Sequence, residues 1–157
     1  KMSWGTKGVL FSNWHELKLN GFLIDFTSDT PYSEWGDSKS ENLCIVEDGQ
    51  GILTFNGKEY SVKKGFALKI FPGQNPVVKP KTSLTFLSVQ KPSPENMKRP
   101  GENLNELSVV EVEKVISKVY EYETLGQEIF TPKYENSLGL LTFVFPLREI
   151  PFHIHPH

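Results

Sequence analysis

The chain has 157 residues, a length that suits one domain and leaves little room for two complete ones. Nineteen acidic and seventeen basic residues give a net charge of -2, so the composition offers no electrostatic attraction for nucleic acid. Hydrophobic residues make up 38% of the chain, which excludes a disordered protein, and no apolar run is long enough to span a membrane.

Short apolar runs dominate residues 19–90, and each run ends at Gly, Pro, Asn or Asp. This rhythm predicts an all-β fold of antiparallel strands. A closed barrel or jelly roll is favoured, because an open sheet of such strands would leave long unpaired edges. Asn56 and Gly57 separate two runs, and both tolerate the positive φ of a type I′ hairpin turn. The predicted strands are residues 21–26, 42–46, 51–55, 59–62, 66–71 and 83–89.

A change of composition follows this β-rich part of the chain. Residues 91–101 contain three prolines and almost no apolar side chains, which predicts an extended linker. Residues 107–122 are compatible with a helix by the spacing of their apolar positions and with a strand by their β-branched content, so both remain open. After Gly126 the β pattern returns, with predicted strands at 128–131, 138–145 and 150–157.

Two segments carry a resemblance to a known family. The first segment, residues 41–51, ends in Val46-Glu47-Asp48-Gly49-Gln50-Gly51. The second segment, residues 62–73, contains Gly65 and ends in Ile70-Phe71-Pro72-Gly73. In this order they resemble the core of a cupin barrel, in which V-x-x-G-x-G at a strand end precedes a hairpin and then G-D-x-x-x-I-P-x-G. The resemblance covers roughly residues 20–90. It implies an antiparallel cupin-type β-barrel, also called a jelly roll or double-stranded β-helix.

The last eight residues, 150–157, are similar to the opening H-x-H motif of a second cupin. Together the two resemblances imply a bicupin with a complete first barrel and an incomplete second one. The expected domains are a cupin-like barrel at 1–90, an extended linker at 91–125, and the opening strands of a second barrel at 126–157. The strands of 126–157 are the extra C-terminal strands of the fold.

The resemblance also tests whether the first barrel keeps the metal ligands of the family. In the family, two early histidines, a glutamate and a late histidine bind the metal. The resemblance aligns the two early histidines with Gly36 and Ser38, the glutamate with Asn42, and the late histidine with Pro76. Because these residues replace imidazole and carboxylate donors, we expect a metal-free first barrel. An alignment shifted by one or two residues would instead bring in an acidic residue, Asp37 or Glu41.

Three of the four histidines, His153, His155 and His157, lie within the last five residues. On a strand, alternate residues point to one face about 7 Å apart, so these imidazoles are the candidate metal ligands. They suit Mn, Fe, Ni, Cu or Zn, although without a glutamate we expect weak binding. A tag fragment, an incidental polar edge and a disordered tail are the alternatives. His15 is interpreted as a surface or packing residue.

Other residue patterns receive structural interpretations. Cys44, the only cysteine, lies in an apolar run and is expected to be a buried, unreactive thiol. The aromatic residues, including Trp4 and Trp35, are expected to fill the core, with a ligand cavity as the alternative. The acidic residues between 34 and 48 are interpreted as solvated loops.

These patterns leave two functions open. The first is a cupin that binds metal through the C-terminal histidines and acts on a small, oxygen-rich molecule, as a dioxygenase, decarboxylase, isomerase or hydrolase. The second is a non-catalytic module, without bound metal, that binds a small ligand or mediates dimerisation. We expect a cytoplasmic location, since no signal peptide is evident, and a homodimer, since the strands after Gly126 need covering.

Overall fold

The computed structural model describes residues 4–33, 35–93, 99–116, 118–120, 124–131 and 138–146. These residues form twelve strands and one short 3-10 turn at Val112–Lys114, so the predicted all-β fold is confirmed. None of the helical structure in this described part is long and apolar enough to cross a membrane. The strands are β1 (Gly5–Trp14), β2 (Leu19–Phe26), β3 (Ser40–Asp48), β4 (Gln50–Phe55), β5 (Lys58–Lys63), β6 (Phe66–Ile70), β7 (Val77–Pro80), β8 (Leu84–Pro92), β9 (Ser108–Glu111), β10 (Lys118–Tyr120), β11 (Thr124–Phe130) and β12 (Leu140–Pro146).

Two antiparallel sheets form the barrel. The large sheet has the order β1-β2-β8-β3-β6-β9, and the small sheet has the order β5-β4-β7. Alternate residues of each strand face inward, as the pleat of a strand requires. The core therefore joins side chains of the large sheet, such as Ile24 and Phe86, to side chains of the small sheet, such as Leu53 and Val78.

The hairpin at Asn56 and Gly57 is confirmed. These two residues have φ values of 49° and 73°, and they connect β4 to β5 with Phe55 paired to Lys58. A two-residue turn with both φ angles positive matches the right-handed twist of the strands. The turn thereby fixes the register of β4 against β5.

Four strands, β1, β7, β9 and β10, were not predicted or were left open by the sequence. β1 lies at the edge of the large sheet, where exposure on both sides weakens its apolar alternation. β7 has four residues and is too short to stand out. In the stretch 107–122, strand structure prevails at β9, which pairs with the edge of β6, and at β10, which pairs with β11. β9 lies within the predicted linker at 91–125.

The third sheet has the order β10-β11-β12. β11 and β12 overlap the strands predicted at 128–131 and 138–145, whereas β10 lies in the stretch that was left open. Gln127 of β11 is buried, and its Nε2 donates hydrogen bonds of 2.8 Å to the carbonyls of Val112 and Val115. Ile129 of the same strand is also buried. These contacts join the third sheet to the segment that follows β9.

Candidate functional site

The four positions that the cupin resemblance assigns to metal ligands gather at one end of the barrel, which we call the barrel mouth. A Cβ atom added to Gly36 would lie 3.5 Å from Asn42 Oδ1. Trp35, the residue before Gly36, donates its Nε1–H to the carbonyl of Pro76 at 3.0 Å. Gly36 and Ser38 line one pocket of about 310 Å³ together with Ser33 and Asn75.

The donor set at the barrel mouth does not fit a transition metal. Asn42 Nδ2 donates to the carbonyls of Asp37 and Ser40, both at 3.1 Å, which fixes the amide so that Oδ1 points away from these two partners. A neutral amide oxygen beside a glycine and a serine gives neither imidazole nor carboxylate. Within the described ranges, no three His, Cys, Asp or Glu side chains come together.

The two acidic residues that an alternative alignment would supply are engaged elsewhere. Asp37 stabilises its own turn, because its carboxylate accepts from Lys39 N at 3.0 Å and from Ser40 Oγ at 2.7 Å. Glu41 lies next to Asn42 on β3, so its side chain points to the opposite face of the sheet. Neither arrangement supports a metal ligand inside the barrel.

The interpretation of all acidic residues from 34 to 48 as solvated loops was wrong for Glu41, which is only 1% exposed. Its carboxylate Oε2 accepts a hydrogen bond from the Leu138 backbone N–H at 2.9 Å. Lys69 of β6 donates to the carbonyl of the same residue. The later part of the chain therefore covers this face of β3, a long-range contact that the local sequence does not reveal.

Glu41, Lys69 and Lys91 form what we call the outer cluster, on the face of the large sheet that points away from the core. Glu41 is paired with Lys91 across β3 and β8, and all three side chains belong to buried residues. Burial lowers the pKa of Lys91, while the Glu41 carboxylate opposes that shift. Two of the three charged groups bind both polar backbone atoms of Leu138, which attaches that segment to the sheet.

A row of polar side chains lines the inner face of the large sheet near the barrel mouth. Asn42 is paired with Gln90 across β3 and β8, and Cys44 is paired with Ser88. Gln90 and Ser88 are 4% and 0% exposed. The sequence analysis did not identify Gln90 or Ser88, although the residue pattern of β8 indicates them. In β8 the inward positions change from Leu84 and Phe86 to a serine and a glutamine, which is unusual for core positions.

Lys7 of β1 is a third residue that sequence reasoning missed. Its Nζ donates to the Trp35 carbonyl at 3.2 Å and lies 4.2 Å from the centroid of the Phe22 ring. Burial lowers the pKa of Lys7, and the nearby Asp37 and Cys44 oppose this effect. A half-buried cation therefore lies at the same end of the barrel as Asn42.

The interpretation of Cys44 as a buried thiol is confirmed. The residue is 0% exposed, and its Sγ lies 3.6 Å from Ser88 Oγ. Burial raises the pKa of the Cys44 thiol to about 12, partly offset by the Ser88 hydrogen bond and by Lys7. At neutral pH the group is a protonated thiol without nucleophilic character.

This pKa predicts a loss of stability in alkaline solution. Since the folded pKa of Cys44 exceeds the unfolded value, the unfolded chain releases the proton first, and stability falls as pH rises from 9 towards 12. The expected slope is about 1.4 kcal/mol per pH unit. Urea unfolding at several pH values measures it, with Cys44→Ala as the control that lacks this contribution. An identical pH dependence in both proteins would contradict the burial argument.

The aromatic residues fill the core rather than a cavity. Trp35 is 1% exposed and contacts Phe26 and Phe86, with ring centroids 5.9 and 5.4 Å apart. Trp4 stacks on Tyr32 at 4.7 Å. Trp14, in contrast, is 60% exposed. The core interpretation is therefore confirmed for the first two tryptophans.

One of the four histidines, His15, lies within the described residues, and the other three do not. His15 is exposed, adopts a φ of 66° and lies beside the Trp14 ring at 5.6 Å, so its interpretation as a surface or packing residue is confirmed. The candidate ligands His153, His155 and His157 lie outside the described residues.

Two larger pockets lie away from the barrel mouth. One, of about 460 Å³, is lined by residues that include Gly65, Glu111 and Gln127. The other, of about 440 Å³, lies between β9 and the end of β11. Both pockets are lined by residues of the barrel together with residues of β11. The inward polar side chains Asn42, Ser88 and Gln90 line neither of them.

Comparisons with known proteins identify the fold. Neither protein-family models nor curated proteins give a match. Among solved structures, a Pseudomonas aeruginosa protein named as glyoxylate-induced aligns with 82% of this chain and 51% of its own length, at 17% identity and a TM-score of 0.64. The protein Ylba from E. coli aligns with 85% of this chain and 54% of its own, at 16% identity and a TM-score of 0.60.

A cupin 2 conserved barrel domain protein from Leptotrichia buccalis aligns with 85% of this chain and 55% of its own, at 9% identity and a TM-score of 0.58. The chain thus spans about half the length of each of these three proteins. The similarity shows that the described barrel has the predicted cupin-type jelly-roll fold.

Proposed function

We propose that the described barrel is the metal-free supporting half of a two-barrel protein, and that metal binding begins at His153, His155 and His157. The observation that carries this proposal is the barrel mouth, where Gly36 and Asn42 lie together without an imidazole or carboxylate donor. In this proposal, the domain limits are 1–90, 91–125 and 126–157, and the middle segment contributes β9 (Ser108–Glu111) to the large sheet of the barrel.

Two further observations support the division of roles. The outer cluster binds the backbone of Leu138, so the barrel holds the chain segment that leads to the candidate ligands. The three solved structures are each about twice as long as the part that this chain matches, which is compatible with a second barrel.

The ligand of the proposed second barrel is a small, oxygen-rich molecule. A divalent Mn, Fe, Ni, Cu or Zn ion, when bound, would polarise oxygen atoms of such a molecule as a Lewis acid. The three histidines would hold the ion through neutral imidazoles on one strand face. A homodimer and a cytoplasmic location stay predictions.

Nickel titration of the full chain tests the proposed ligands. Replacing both His153 and His155 with alanine is expected to weaken Ni²⁺ binding by at least about tenfold, since one imidazole alone cannot chelate. Isothermal titration calorimetry measures the change, and His15→Ala is the matched control because that histidine is exposed in a turn. Equal affinity of the double variant and the unaltered protein would place the metal elsewhere.

A non-catalytic, ligand-binding barrel is the second candidate function. It is favoured by the polar side chains at inward positions near the barrel mouth, since a purely structural barrel would fill those positions with apolar groups. The two candidates are compatible, because they concern different parts of the chain.

A further inference from the structure

The sequence contains two Asn-Gly pairs, and the fold places them in opposite surroundings. Asn56-Gly57 forms the turn between β4 and β5, where both residues are exposed. Asn20-Gly21 lies in β2, the strand between β1 and β8. Because glycine has no Cβ, its backbone nitrogen can approach the side-chain amide of a preceding asparagine closely. The two pairs therefore share one chemistry and differ only in how the fold holds them.

The turn leaves the atoms of Asn56 and Gly57 accessible. Among the described residues, none beyond the chain neighbours of Gly57 would come within 4 Å of a Cβ added to that glycine. Asn56 Nδ2 donates one exposed hydrogen bond of 3.1 Å, to the carbonyl of Asn105. Opening this turn breaks few contacts, since it lies at the end of a hairpin.

Asn20 and Gly21 are held on all sides. Asn20 Oδ1 accepts from the Asn13 N–H at 3.1 Å, and its Nδ2 donates to the carbonyl of Lys18 at 3.2 Å. Gly21 is buried, is paired with both neighbouring strands, and lies so close beneath the Phe11 ring that a Cβ there would collide with it. Any rearrangement of this pair requires β2 to separate from the sheet.

We propose that Asn56 is a site of spontaneous deamidation. The Gly57 nitrogen attacks Cγ of Asn56, a new N–Cγ bond closes a succinimide ring, and the Cγ–Nδ2 bond breaks. The side-chain nitrogen leaves as ammonia with the proton of the Gly57 N–H. Water then opens the ring: cleavage of the N–Cγ bond gives aspartate, and cleavage at the main-chain carbonyl carbon gives isoaspartate, in which the chain runs through Cγ.

The modification changes a contact between the hairpin and the segment that precedes β9. A carboxylate at position 56 cannot donate to the Asn105 carbonyl, and it adds a negative charge beside a chain segment that contains Glu106. The neighbouring ion pair of Lys58 with Glu106, at 3.5 Å, joins the same two parts of the chain. Isoaspartate also lengthens the two-residue turn that sets the register of β4 against β5. Deamidation is therefore expected to loosen residues 103–107 from the hairpin.

Peptide mapping of the full chain tests the site. The protein is incubated in mildly alkaline buffer and digested with trypsin, which places Asn20 in the peptide 19–39 and Asn56 in the peptide 40–58. Mass spectrometry measures the conversion of amide to acid, and a sample taken at zero time corrects for conversion during digestion. We expect conversion at Asn56 to be at least about tenfold faster than at Asn20, a ratio that needs a difference of only about 1.4 kcal/mol in opening free energy.

Concentrated urea provides the matched control for this rate ratio. In the unfolded chain the same dipeptide is free at both positions, so the two rates are expected to become similar. Similar rates at Asn20 and Asn56 in the folded protein would overturn the proposal. Conversion at Asn56 only in urea would also overturn it, because it would mean that the folded turn prevents the reaction.

The structural consequence has its own test. Asn56→Asp reproduces one product and keeps a dipeptide, Asp-Gly, that suits the turn. It is expected to lower the melting temperature by about 1–3 °C, because the hydrogen bond to Asn105 is lost. Gln50→Glu makes the same amide-to-acid change at an exposed position of β4 and is not expected to lower it. Equal melting temperatures of Asn56→Asp and the unaltered protein would contradict the loosening of residues 103–107. None of these results depends on metal binding by the C-terminal histidines.

Discussion

Replacing Glu41 with alanine is expected to lower the free energy of unfolding by about 3 kcal/mol, because it leaves buried partners without their counter-charge. The carboxylate is almost fully buried, lies opposite Lys91 and binds the Leu138 backbone N–H. Its removal also deprives that N–H of its acceptor. Urea unfolding measures the loss, which corresponds to a fall of about 6–12 °C in melting temperature.

Matched variants on the same strand distinguish burial from strand position. Glu47→Ala removes an exposed carboxylate from β3 and is expected to change stability by less than about 0.5 kcal/mol. Glu41→Gln keeps an acceptor for Leu138 and loses only the charge, so its stability should lie between those of the other two. A Glu41→Ala protein as stable as Glu47→Ala would mean that the outer cluster does not hold the later segment.

Replacing Trp35 with alanine is expected to cost about 4 kcal/mol of stability. The ring is 1% exposed, packs against Phe26 and Phe86, and donates to the Pro76 carbonyl. The variant loses this packing and the bond that connects the segment of Gly36 to that of Pro76. Urea unfolding measures the loss.

Trp35→Phe separates packing from hydrogen bonding. It keeps an aromatic ring in the core and leaves the Pro76 carbonyl without its donor, at an expected cost of about 1–3 kcal/mol. Trp14→Ala is the exposed control and is expected to have little effect, since that ring is 60% exposed. If Trp35→Ala and Trp14→Ala were equally stable, the packing account of the barrel mouth would be wrong.

Local features of the barrel were predictable from the sequence, because they depend on the type of each residue and on its immediate neighbours in the chain. The hairpin follows from the positive φ that Asn56 and Gly57 tolerate. The buried state of Cys44 follows from its apolar neighbours on β3. The absence of imidazole and carboxylate from the positions of Gly36 and Asn42 is a matter of residue identity alone.

Contacts between distant parts of the chain were not predictable in the same way. Glu41 reads as one member of an acidic stretch, and only the pairing of β3 and the position of Leu138 reveal its burial. Lys7 lies on an edge strand whose weak alternation concealed it, and its place beside Trp35 depends on tertiary packing. The strand at 108–111 required the free edge of β6, which no local pattern shows.

The most direct test of the central claim is the metal content of a variant in which His153, His155 and His157 are all alanine. The variant is equilibrated by dialysis against excess Ni²⁺, and the metal bound per chain is measured at equilibrium beside the unaltered protein, which is expected to bind one ion more. The account predicts that the variant retains no stoichiometric nickel, because the barrel mouth at Gly36, Ser38 and Asn42 lacks suitable donors. One nickel ion per chain in the variant would contradict it and would place a metal site within the barrel.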